Sequence, residues 1–142
     1  MDTMLIAAKA VQTMLDEDQA SKAMGMELQT IQPGYAEVSM NIREDMVNGH
    51  NTAHGGIVFS LADTAFACAC NSHNVVNVAA SCQINFMRPA LLGDVLLAKA
   101  TELSLGRRSG VYDVHVTNQA GKLVAVFRGH AMSLDKPVFT ED

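Results

Sequence analysis

Apolar and polar positions change rhythm several times along the 142 residues. Leu5, Ala8, Val11 and Leu15 recur at helical spacing while Gln12, Asp16 and Gln19 point elsewhere, which predicts an amphipathic helix over residues 4–20. Strict alternation then takes over: Ala36, Val38, Met40 and Ile42 interleave with Glu37, Ser39 and Asn41, a half-buried strand over residues 35–42. Residues 26–31 predict the strand before it, and Pro33-Gly34 marks the turn between the two. Residues 57–72 are apolar on nearly every side, as expected of a helix enclosed by other elements. The polar exceptions there, Ser60, Asp63, Thr64 and Asn71, fall on one narrow stripe with the small Ala67 between them. Read as function, the stripe is a face that something polar approaches; read blandly, it is a solvated face. Four more strands are expected over residues 74–87, 94–103, 111–116 and 123–132, punctuated by Arg88-Pro89, Gly106 and Ala120-Gly121.

The predicted order is helix, strand, strand, loop, buried helix, then four strands. Strands without alternating helices argue for an α+β fold with one antiparallel sheet curved around the long helix. The chain is short enough for a single domain, residues 1–142, with a core over about 24–132 and a loosely held tail at 136–142. Aromatic residues make up 5% and there is no Trp, so aliphatic side chains, Ala and the 9 Met must fill the interior. The formal net charge of -5 argues against nucleic acid as a partner. A local cation could still hold a small anion, and Arg88, Arg107, Arg108 and Arg128 are the candidates. Cys68, Cys70 and Cys82 do not form a secreted disulfide framework; Cys68 and Cys70 read as small buried hydrophobes, and no four-ligand metal set is apparent. No secretion signal or membrane span is evident, so a cytoplasmic protein is the expectation.

The chemistry concentrates around residues 48–63. Gly55 and Gly56 lie at the expected entrance of the long helix, where first-turn N–H groups lack intrahelical acceptors and sit at the positive dipole end. Missing side chains let another molecule approach, so the entrance can serve as an oxyanion hole. Asp63 lies more than two turns deeper and is no ordinary cap; facing a cleft, it could activate water or attack a carbonyl directly. His54 can hydrogen-bond a substrate carbonyl, donate a proton or simply orient its loop. Asn48 can hold a carbonyl, a water or its own turn.

The run from Asn48-Gly49 through His54-Gly55-Gly56 to Leu61-Ala62-Asp63 resembles the PaaI-type thioesterases of phenylacetic acid degradation, within the hotdog superfamily. Ile84 to Pro89, Gly93-Asp94, Gly106 to Asp113 and Val124 to Gly129 match as well, so the resemblance spans about residues 24–132. It implies a hotdog fold, dimers with a continuous sheet, further association into tetramers, and active sites shared by two subunits. It also implies Gly55 as the main oxyanion donor flanked by Asn48 and His54, and Asp63 of the facing subunit as general base or nucleophile. Ser81 is implied to orient the attacking water. Gly56 and Thr64 are implied to border the substrate. Arg88, Arg107, Arg108 and Ser109 are implied to lie near coenzyme A, and the Ala-rich helix and Met87 beside the acyl group.

The expected reaction is hydrolysis of an acyl-CoA thioester to free acid and CoA, with phenylacetyl-CoA or its ring-hydroxylated derivatives as substrates. No cofactor is required, because CoA is part of the substrate. The alternatives are a broad medium- or long-chain acyl-CoA thioesterase, a hotdog dehydratase, and a noncatalytic acyl-CoA-binding protein.

Overall fold

In the computed structural model, which describes residues 1–141, the helix expected over residues 4–20 is two helices. Helix α1 spans Thr3–Asp16 and α2 spans Gln19–Ala23. Asp18 makes the break: its carboxylate accepts from the Ser21 amide at 3.0 Å and caps α2, satisfying a first-turn donor that the helix itself leaves unpaired. The buried face of α1 is Ala7, Ala10 and Val11, whereas Leu5 and Ala8 are exposed. The face is therefore rotated from the expected stripe. Its small side chains let α1 approach β1 (Glu27–Gln32) and the long helix α3 (Gly55–Asn71), both of which it packs against.

The remaining strands are β2 (Tyr35–Asn41), β3 (Asn77–Phe86), β4 (Val95–Leu105), β5 (Ser109–Thr117) and β6 (Leu123–Ser133). They form one six-stranded sheet in the order β1-β2-β4-β5-β6-β3, antiparallel throughout. Helix α3 packs against all six strands, which a flat sheet could not permit. The expected α+β architecture, a curved sheet around a central helix, is the one observed.

The core lies between α3 and the inner face of the sheet, where Phe66, Phe127 and Tyr112 make tilted and edge-on ring contacts. A Cβ at Gly129 would sit 2.7 Å from the Phe66 ring, so glycine there is what lets β6 touch the helix. Cys68 and Cys70 are buried thiols, each pushed up to about 12 by burial first.

Strand β3 forms one edge of the sheet, pairing with β6 and with no other strand among the described residues. Ten residues of unpaired edge are long for an isolated chain and suit pairing with a second one. The tail is held rather than loose. Asn74, at a positive φ of 62°, accepts from the Val138 and Phe139 amides through Oδ1 and donates to the Phe139 carbonyl. Lys9 stacks on Phe139 at 4.8 Å and pairs with Glu141; Asp142 lies outside the described residues. No helix among the described residues is long and apolar enough to cross a membrane.

Candidate active site

The segment between β2 and α3 is tied down before the helix begins. The Asn48 amide donates to the Thr52 carbonyl at 2.9 Å, and the Asn48 carbonyl accepts from Asn51 at 3.1 Å. The Asn48 side-chain Oδ1 accepts from His50 N at 2.9 Å and Thr52 N at 3.2 Å. That oxygen is fully engaged by the loop, so only the Nδ2 group is left to offer to another molecule. His54 is the N-cap residue of α3. Its amide donates to the Met46 carbonyl and its carbonyl accepts from Ile57, while the exposed imidazole caps nothing.

Gly55 and Gly56 follow as the first helical residues, both exposed. Among the described residues no acceptor meets either N–H. Gly55 borders a cleft of about 440 Å³ whose walls include Val58, Phe86, Met87, Arg88 and Ala90. A Cβ at Gly55 would lie 3.0 Å from the Phe86 ring, so the ring closes over the bare backbone. The cleft thus pairs an apolar wall with unpartnered donors at a helix N-terminus, an arrangement suited to a polarised carbonyl on an apolar group.

Asp63 stands in a different place. Eight residues separate it from Gly55, about 12 Å along the helix axis. It lines a pocket of about 170 Å³ with Asp18, Ser21, Met24, Met26 and Ser60. Among the described residues nothing donates a hydrogen bond to its carboxylate. Burial, then the neighbouring Asp18 charge, hold the Asp63 carboxyl above its usual range. After burial, its charge in turn pushes the Cys82 thiol up; Cys82 faces inward from the middle of edge strand β3, which packs on α3.

Two other residues of the polar stripe, Thr64 and Asn71, are buried and hydrogen-bonded within the chain. Thr64 is buried with its hydroxyl 3.1 Å from that of Ser21. Asn71 is buried too, donating to the Ala67 carbonyl and accepting from the Asn77 amide at the start of β3. Neither is available to coenzyme A in this chain, and Thr64 instead forms a wall of the Asp63 pocket.

Ser81 is not brought to Asp63. It pairs with His130 on β6 and so shares the outer face of the sheet, opposite α3; its neighbour Cys82 points inward. Arg88 does reach the rim of the Gly55 cleft, its Nε donating to the Leu123 carbonyl at 3.2 Å. Arg107, Arg108 and Ser109 lie elsewhere. Phe86 at the cleft pairs with Ala125, whereas Ser109 pairs with Met132. Seven residues of β6 separate those rungs, roughly 23 Å. The β4–β5 turn therefore serves this cleft only if a second copy delivers it. Arg128 forms a two-bonded pair with Asp113 at 2.6 and 2.9 Å, which lowers the Asp113 pKa and raises that of Arg128; it is no free anion site.

Asp18 and Ser21 are not among the expected site residues, because a single helix over residues 4–20 puts Asp18 inside it and Ser21 just beyond its end. The spacing Asp18-x-x-Ser21 before Lys22-Ala23 is the cap signal that marks them. Among the described residues no cluster of His, Cys, Asp and Glu could hold a metal ion.

Comparison with known proteins converges on one family. The model of the thioesterase superfamily matches residues 50–125. The chain is 47% identical over 116 residues to the acyl-coenzyme A thioesterase PaaI of Escherichia coli strain K12, covering 82% of this chain and 83% of that one. A putative esterase of Archaeoglobus fulgidus is 38% identical, with 82% and 75% covered. Among solved structures, the E. coli PaaI protein from the phenylacetic acid degradation operon superposes with a TM-score of 0.94 at 40% identity, covering 96% and 99% of the two chains. A hypothetical thioesterase with coenzyme A from Streptococcus pneumoniae gives 0.81 at 26% identity, covering 89% and 97%.

Proposed function

Because this chain belongs to the thioesterase superfamily, in its PaaI-type hotdog branch, we propose that it hydrolyses phenylacetyl-CoA or ring-hydroxylated phenylacetyl-CoA at sites shared by two copies of the chain. The observation that carries this reading is the separation of the two reactive features. The donors at Gly55 and the carboxylate of Asp63 open into different clefts of one chain, about 12 Å apart along α3. One carbonyl is too small to touch both. Pairing through the free edge of β3, which packs on α3, supplies a way to bring the Gly55 cleft of one copy to Asp63 of the partner subunit.

In that site the thioester carbonyl oxygen accepts from the Gly55 N–H, with the Asn48 side-chain Nδ2 beside it. Asp63 of the partner subunit removes a proton from water as the water oxygen bonds to the carbonyl carbon. The raised proton affinity of Asp63 suits a base more than a leaving carboxylate. Collapse of the tetrahedral oxyanion breaks the carbon–sulfur bond, and the proton held by Asp63 goes to the departing thiolate. Arg88 lies at the rim, where a phosphate of the CoA moiety can meet a guanidinium.

A panel of acyl-CoA esters read by thiol release tests this function. We expect free CoA from phenylacetyl-CoA with kcat/KM above that of straight-chain esters. Binding without thiol release would assign the chain to a noncatalytic class, and a preference for long chains would favour the broad thioesterase.

Asn48 separates loop structure from catalysis. Asn48→Asp keeps the acceptor that both loop amides use and removes the Nδ2 donor. Melting temperature should stay close to wild type while kcat falls on the order of 10²-fold or more, because the change removes an oxyanion donor and sets a carboxylate beside the developing negative charge. An unchanged kcat would remove Asn48 from the site.

A further inference from the structure

The pocket beside Asp63 does not end in solid packing. Its far wall is formed by Ser21, Met26 and Thr64, and the same three residues border a second cavity of about 310 Å³ between the N-terminal helices and β1–β2. Leu15, Leu28 and Val38 give that second cavity an apolar part, and the exposed Gln12, Asp16, Lys22 and Glu27 complete its lining. The wall is a hydrogen-bonded chain with a fixed direction. Ser21 Oγ donates to Asp18 Oδ2 at 2.6 Å, since a carboxylate only accepts. The Ser21 proton is thereby committed, so the 3.1 Å contact between Ser21 Oγ and Thr64 Oγ1 has Thr64 as donor. Both hydroxyl residues are buried. Asp18 anchors the chain and caps α2 at once, which fixes Ser21 in place.

The first pocket matches one ring in size. A cavity of about 150 Å³ takes one benzene ring, and the pocket beside Asp63 measures about 170 Å³. We infer that the Ser21–Thr64 pair is the acyl-length stop of this enzyme, dividing an aryl-sized pocket beside Asp63 from a second, solvent-open cleft whose apolar part would take a straight acyl chain. The inference rests on the proposed thioesterase site and names two specificity-determining residues within it.

The test compares kcat/KM for decanoyl-CoA and phenylacetyl-CoA on the same protein preparation, so that losses of folded enzyme cancel in the ratio. Thr64→Ala removes wall volume and should raise the decanoyl-to-phenylacetyl ratio roughly tenfold or more, the scale at which apolar pockets discriminate. Thr64→Val keeps the volume and breaks only the hydrogen bond; its ratio should stay near wild type. Adding Leu28→Trp to Thr64→Ala refills the second chamber from β1 and should bring the ratio back down. Ser21→Ala opens the same wall from α2 and gives the same direction of change if Thr64→Ala folds poorly. An unmoved ratio in the opened variants, with wild-type protein active on phenylacetyl-CoA, overturns the length stop and leaves the thioesterase site standing. So does a rise that Leu28→Trp fails to reverse. A wild-type protein that releases CoA from neither ester takes both down together.

Discussion

Asp63→Asn should leave a folded protein that has lost most of its thioester hydrolysis. A positioned general base contributes about 10²–10⁴-fold to rate, and Asn has no lone pair basic enough to replace it. Stability should move the other way. The Asp63 carboxyl has a folded-state pKa above its ordinary value, because burial and the Asp18 charge disfavour ionisation. At neutral pH its charge therefore costs stability, and that cost fades as pH falls through the raised pKa. Asn keeps the shape and removes the charge. Melting at pH 7 should be at or above the wild-type temperature, and the gain should shrink as the solution is acidified. A structural carboxylate would behave differently, since its loss lowers melting temperature and leaves kcat alone. Thermal melting and steady-state thiol release on the same samples separate the two. Wild-type turnover in Asp63→Asn would remove Asp63 from the chemistry.

Much of this molecule was legible in its residues. Alternation located β2 because one face of that strand is buried and the other is not. The apolar surround of residues 57–72 announced a helix wrapped by a sheet, and Gly55-Gly56 marked its entrance. What a helical wheel supplies is direction without neighbours. Asp63, Thr64 and Asn71 do share a stripe, yet Thr64 meets α2 and Asn71 meets the start of β3, both of which arrive from elsewhere in the chain. Ser81 shows the same limit for strands: it faces outward because its rung on β6 is His130, and register is set by pairing. The arginines of the β4–β5 turn were joined to the cleft by resemblance, while the length of β6 holds them at the far end of the sheet within one chain. The tail looked loose because its anchor, Asn74 in a left-handed turn, lies some sixty residues earlier.

In the proposed enzyme a working site needs two copies of the chain, and hybrid dimers test this directly. Gly55→Val fills the cleft at the helix entrance and displaces the half-exposed Phe86 ring, so the chain should still fold. Asp63→Asn removes the base. Each variant alone should be nearly inactive. A dimer of one chain of each kind has one site carrying both defects and one carrying neither, provided each site takes Gly55 from one chain and Asp63 from the other. Hybrids isolated through two different affinity tags should then recover about half the wild-type rate, one intact site of two. Verified hybrids no more active than their parents would place both groups of each site on a single chain and contradict the shared site.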